Sequence, residues 1–248
     1  MDQYRFSPQQ SQMIVDAIVE GYREYIEHRK DRKAVMKISS AFAWTKGNFI
    51  ESRIAEEAAN HGFTYKKSKA GLTWDYLQFV HQGSKILFLV KNANYFNENA
   101  FSLATIPGEH KTSGKKRTYL HELSKINDSL EFPVVPPSKN GKERVEQLSL
   151  FLAEEKVKEE LESFKSSYQE FHILTYKLDE AYQVAEIVHY LPNSKNNIAY
   201  LVEDLSDLIS GADLTAEDLE VFAVDSDEEI VDPAAFDIGI LEDEKTGE

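Results

Sequence analysis

Residues 63–90, FTYKKSKAGLTWDYLQFVHQGSKILFLV, decide the fold. Phe63-Thr64-Tyr65-Lys66-Lys67 alternates with the period of a strand, and Ser68 to Gly71 reads as a turn. Leu72 to Val80 is rich in the aromatic and β-branched residues that suit a pleated surface. His81-Gln82-Gly83-Ser84 marks a second turn. Ile86 to Val90 is apolar without alternation, the pattern of a central strand covered on both faces. Connections this short join antiparallel neighbours, so the three strands predict a meander.

Upstream of the meander the period is helical. Ser7-Pro8-Gln9-Gln10 combines a Ser N-cap, a Pro in the first turn and a Gln placed to complete a capping box. Ile14, Ala17, Ile18, Gly21, Tyr22, Tyr25 and Ile26 then form one stripe, and the helix is expected to end in the charged run Glu27 to Lys33. A second helix spans about Asn48 to Asn60, with Ile50, Ile54, Ala55 and Ala58 on one face and Gly62 as its stop.

Downstream, Gly108 to Arg117 (GEHKTSGKKR) reads as an exposed basic loop, followed by a short helix over Tyr119 to Ile126 and by irregular chain at Pro133, Pro136 and Pro137. Val145, Leu148, Leu152, Val157, Leu161 and Phe164 predict a long helix from Lys142 to about Ser167. Phe171 to Tyr176 and Tyr182 to Leu191 predict a strand pair turning at Leu178-Asp179-Glu180. Ala199 to Ile209 is expected to be helical and to stop at Gly211. Beyond it the chain is acidic yet carries Leu214, Leu219, Val221, Phe222, Ile230, Val231, Phe236, Ile238, Ile240 and Leu241, with a capping box at Thr215-Ala216-Glu217-Asp218. That pattern predicts short docking elements rather than a purely solvating tail, with only about the last six residues disordered. The fold class expected is therefore α+β. A central, mostly antiparallel sheet is flanked by helices in a domain over 1–211, with an acidic helical appendage over 212–248.

The composition agrees with a packed core: 42% of the 248 residues are hydrophobic and 11% aromatic. No cysteine is present, which excludes disulfides, thiolate metal sites and cysteine nucleophiles. No signal peptide or membrane-length apolar run is visible, so the expected location is cytoplasmic, away from any membrane. The net charge of −15 divides unevenly. Residues 1–145 hold 22 Lys+Arg against 16 Asp+Glu, and the remainder holds 6 against 27. Such a split suggests halves with different partners.

Motifs for phosphate loops, nucleophile elbows and zinc proteases are absent, and the seven histidines lack ligand spacing. The order helix, strand, Asp-bearing strand, apolar strand ending in Lys, over about residues 47–95, resembles the core of the PD-(D/E)XK restriction-endonuclease-like superfamily. The resemblance implies that Asp75 matches the first metal-binding acid, Lys91 the lysine that serves the attacking water, and Glu51 the helical acid of some members. Mg²⁺ would be the cofactor of an active site of that kind, because a hard cation takes oxygen ligands and polarises a phosphodiester. The chain departs from the pattern at Leu89, where the second acid is required, and at Trp74, where a proline precedes the Asp.

Two basic clusters are candidate nucleic-acid contacts: Lys66, Lys67 and Lys69, and Lys111, Lys115, Lys116 and Arg117. The leading expectation is a non-catalytic binding or regulatory protein with a nuclease-like core that contacts nucleic acid through these basic loops. A second is a protein-binding inhibitor, antitoxin-like or anti-defence, whose partner meets the acidic C-terminus. A third is a metal-dependent nuclease with a rearranged site.

Overall fold

A computed structural model of the chain describes residues 1–37, 40–70, 74–104, 116–134, 148–153, 167–211, 214–221 and 236–241. Its centre is a six-stranded sheet. Strands β1 (Phe63–Ala70), β2 (Trp74–His81) and β3 (Ile86–Asn92) form the antiparallel meander read from the sequence, except that Ser68–Ala70, expected in a turn, continue β1 and pair with β2. Strand β7 (Glu170–Leu178) lies parallel to β3, then β8 (Val184–Asn193) and β9 (Ile198–Asp204) continue antiparallel, giving the order β1-β2-β3-β7-β8-β9. The fold is α+β, with a mixed, mostly antiparallel sheet.

Both faces of the sheet are covered, as the unbroken apolar run of β3 requires. On one face lie α1 (Pro8–Val35) and α2 (Lys46–Ala58), packed on Phe63, Phe79, Phe88, Leu174 and Ile187. On the other lies α3 (Tyr119–Ser124), packed with Phe101 on Leu87, Leu89, Phe171 and Ile173. The odd and even residues of β3 thus serve separate cores. The predicted capping box of α1 is formed, but the helix runs through its charged segment to Val35 instead of ending there. The charges are no obstacle, because Arg, Lys and Glu are good helix formers and the segment is largely solvated. Where α1 and α2 cross, a Cβ on Gly21 would lie 2.8 Å from the Ile50 Cα, so only glycine permits this approach.

Several expectations fail. Ala199 to Ile209 is strand β9 and a short 3-10 turn, not a helix. Ala199, Val202 and Leu205 fit a helical step, but Asn197 adopts a positive φ of 59° and folds the chain back on β8, where the sheet satisfies the backbone. Leu148 to Ala153, expected inside a long helix, is strand β6, and it pairs in parallel with β10 (Phe236–Leu241). Most of the acidic C-terminal segment, expected to be a helical appendage, lies outside the described residues. Its described parts are one four-residue helix, α4 (Ala216–Leu219), with its predicted Thr215 capping box, and strand β10. Lys116–Arg117, expected in a loop, form strand β5 against β4 (Leu103–Ala104). The rest of that basic segment, with Lys111 and Lys115, lies outside the described residues, as do most of the predicted 142–167 helix and the final residues. No described helix is long and apolar enough to cross a membrane.

Candidate functional site

The meander's far end opens into a cleft of about 480 Å³ between α2 and the β1–β2 hairpin. Its origin is a break in strand pairing. β2 and β3 are in register only from Phe79↔Phe88 to His81↔Ile86, and beyond that the strands part. The Leu77 N–H that would extend the ladder donates instead to the Glu51 carboxylate, 2.8 Å away. Glu51 reaches this point because Gly21 lets α2 settle against α1 at the neighbouring Ile50. Burial pushes the Glu51 carboxyl up to about 8, opposed by the Leu77 hydrogen bond and by the Lys91 charge. At neutral pH Glu51 is mostly a neutral acid.

Asp75 and Lys67 also line the cleft and form an ion pair with each other. Lys69 stands opposite Asp75 in the β1–β2 register. Tyr65 completes the outer wall and is 56% exposed. Lys66, on the same outer strand, is exposed. This row of an aromatic ring and lysines on the sheet's edge strand is visible in the sequence as Tyr65-Lys66-Lys67, although only the lysines stand out there as candidates.

The resemblance's catalytic trio is brought together only in part. Glu51 and Asp75 share the cleft. The Lys91 charge acts on Glu51, but strand alternation assigns Lys91 to the opposite face, with Leu87 and Leu89, and its Nζ lies 5.9 Å from the centre of the Tyr119 ring. Leu89 is 1% exposed in the α3-side core, so the position that needs an acid is sealed hydrocarbon. Among the described residues no three His, Asp or Glu side chains are grouped to hold a metal ion. Magnesium therefore fits this donor set poorly: of the carboxylates lining the cleft, Glu51 is desolvated, Asp75 is paired with Lys67 and Glu56 with Arg53.

A second polar cluster, unforeseen in the sequence, crosses the α1-side core. His172 Nδ1 lies 2.6 Å from His189 Nε2, and His172 Nε2 lies 2.9 Å from the Glu170 carboxylate. Phe6 stacks on His189 with ring centroids 4.7 Å apart. Burial pushes His172 down to about 3 and His189 well below its ordinary value, and it raises Glu170. His189 Nδ1 and Glu203 Oε2 are both buried without a hydrogen-bond partner, and these two residues are register partners across β8 and β9. Neither histidine is accessible to a substrate, and only the strand register, which the spacing of single residues does not reveal, pairs them.

The C-terminal segment touches the body on described side chains. Lys30 of α1 pairs with Asp218 at 2.9 Å and Glu217 at 3.4 Å, and Lys33 donates to the Glu220 carbonyl at 2.8 Å. The Lys30 ammonium holds the Asp218 carboxyl down at about 2. Val221 is buried and Leu214 packs on the main core. No family model matches the chain, and no curated protein or solved structure matches it either.

Proposed function

We propose that the protein is a non-catalytic, regulatory binding protein that contacts a nucleic-acid strand along the outer edge of β1. The observation that carries this reading is the exposed Tyr65 on an edge strand, with Lys67 two residues on along the same face and exposed Lys66 on the other. A planar ring gives a base a stacking surface, and neighbouring cations attract the phosphates whatever the sequence. The nuclease-like core is, on this reading, a scaffold without chemistry. Leu89 fills the acid position with buried hydrocarbon, and Lys91 belongs to the face away from Asp75. The expected partner is thus bound and released intact.

The test is fluorescence anisotropy with a labelled 20-nucleotide single strand at low salt. The expected result is binding that weakens as salt rises, and a double charge reversal at Lys66 and Lys67 flattens the log–log salt slope by about 1.4. Incubation with Mg²⁺ or Mn²⁺ leaves the strand uncut. Absence of binding, in the full chain and in a chain ending at Val221 alike, refutes the reading. Metal-dependent cleavage abolished by Asp75→Ala would establish the nuclease alternative in its place.

A further inference from the structure

The cleft between α2 and the β1–β2 hairpin carries polar groups that the edge-strand contact does not use. Its volume of about 480 Å³ falls within the range of small-molecule pockets, about 300–1,000 Å³. Tyr65 and Lys67 of β1 stand on the same face as Asp75 and Leu77 of β2, so the ring and the Lys67–Asp75 ion pair share one wall. Ser52 and Ala55 of α2 line the other side. Glu51 Oε2 accepts the Leu77 N–H at 2.8 Å, and its Oε1 has no hydrogen bond among the described residues. Asp75 Oδ2 meets Lys67, and its Oδ1 likewise has no hydrogen bond among the described residues. The charges balance: Lys67 is paired with Asp75 and Glu56 with Arg53, while burial pushes the Glu51 carboxyl up to about 8 and leaves it mostly neutral. Because Oε2 takes the Leu77 N–H, the proton of the neutral acid belongs on Oε1. The cleft therefore offers one O–H donor, one uncommitted carboxylate oxygen and one aromatic ring.

We propose that this cleft is a nucleobase pocket, which takes one adenine or cytosine of the bound strand, stacks it against Tyr65 and hydrogen-bonds its pairing edge to Glu51 and Asp75. The proposal rests on the strand-binding role given above and adds base selectivity to it. A neutral planar heterocycle suits a cleft of balanced charge, whereas a phosphate there would meet carboxylates. On their pairing edges, adenine and cytosine carry an unprotonated ring nitrogen beside an exocyclic amino group. Glu51 Oε1–H donates to that nitrogen, and the amino group donates to Asp75 Oδ1. Thymine and guanine carry a protonated ring nitrogen in the same place. That sets N–H against O–H and leaves a donor without a partner, which is the source of the discrimination. The phosphates on either side of the inserted base stay outside, along the sheet's edge, where they position the strand without reading it.

The test measures fluorescence anisotropy of the full chain at neutral pH and low salt, with labelled 20-nucleotide strands of adenine, cytosine or thymine and with an abasic strand of the same length. The expected result is that the adenine strand, the cytosine strand or both bind about tenfold more tightly than the thymine strand, with the abasic strand weakest. Ser52→Trp places a large ring in the cleft from an exposed position of α2 and should erase the preference. Glu51→Ala should erase it too. Glu51→Gln should keep it, because the amide carbonyl accepts the Leu77 N–H and the amide nitrogen donates where the acid did. Equal wild-type affinities for the adenine, cytosine and thymine strands overturn the pocket and leave the edge contact standing. An abasic strand bound as tightly as the others also overturns it, as does a preference that survives Ser52→Trp. Loss of the preference in Glu51→Gln as well as in Glu51→Ala overturns the donor role of the neutral acid. No binding by any strand refutes the binding role and the pocket together. Circular dichroism verifies that each variant retains the sheet, and the surface substitution Ser52→Trp keeps the test decisive should Glu51→Ala fail to fold.

Discussion

Replacing Glu51 with Gln should remove a cost that the wild-type protein carries at alkaline pH. The folded-state value of about 8 stands above the ordinary 4.5, so the folded chain holds a proton that the unfolded chain has released. Stability tied to this group is fully present below 4.5 and falls as pH rises to about 8, beyond which the loss is complete. A tenfold difference in proton affinity between the folded and unfolded chains is worth about 1.4 kcal/mol, which sets a ceiling of about 5 kcal/mol across the window. The residue is partly open to the cleft, and water reaching the carboxylate trims the cost toward about 2 kcal/mol. Gln cannot ionise, and its carbonyl still accepts the Leu77 N–H. Urea unfolding of both forms from about pH 4.5 to about pH 9, at constant ionic strength, reads the difference directly. The curves should nearly coincide at the acid end, diverge as pH rises, and leave Glu51→Gln the more stable at the alkaline end. Parallel curves would refute the claim that Glu51 is held as a neutral acid between the parted strands.

The remaining predictions concern the scaffold around that site. Gly21→Ala puts a Cβ 2.8 Å from the Ile50 backbone and should cost about 1–3 kcal/mol in chemical denaturation, because α2 must move away from α1. Leu89→Glu, which would restore the missing acid of the nuclease pattern, should instead destabilise by about 3–5 kcal/mol and confer no cleavage, since that side chain sits in the α3-side core. His172 should stay neutral well into acid, so nitrogen NMR of its ring at about pH 5 should report an unprotonated imidazole. Its depressed value also fixes the sign of the acid limb: stability present above about 6.5 is lost as pH falls toward 3. A His172 that titrates near its ordinary value would contradict its buried pairing with His189.

The parts of the fold that were legible in the sequence are those where one local pattern had no competitor. The Ser7 capping box, the Gly62 stop and the meander from Phe63 to Val90 each state their structure within a few residues, and Gly62 takes the left-handed φ of 79° that its position implies. Ala199 to Ile209 was misleading because Ala199, Val202 and Leu205 satisfy a helical step, and a strand whose two faces meet different neighbours can imitate it. Pairing with β8 decided the outcome, and pairing is a long-range property. Leu148 to Ala153 fails for the same reason, since its partner is Phe236 to Leu241 at the other end of the chain. For the site, the resemblance singled out Glu51 and Asp75 and the basic cluster singled out Lys67, and the structure gathers these three around one cleft. Alternation alone puts Lys91 with Leu87 and Leu89, but that Asp75 belongs to the other face depends on the register of β2 with β3, which the residues do not reveal. Nor could they show Tyr65 as an exposed ring or His172 and His189 as a buried pair.

The most direct test of the binding role is to locate where a nucleic-acid strand touches the protein. Titrating the isotope-labelled full chain with a 12-nucleotide single strand at low salt, and following backbone amide resonances, locates the contact residue by residue. The prediction is that amides of Phe63–Ala70 and of Lys116–Arg117 shift together and saturably, while those of β8 and β9 stay in place. Shifts confined to β8 and β9, or none at any site, would contradict it.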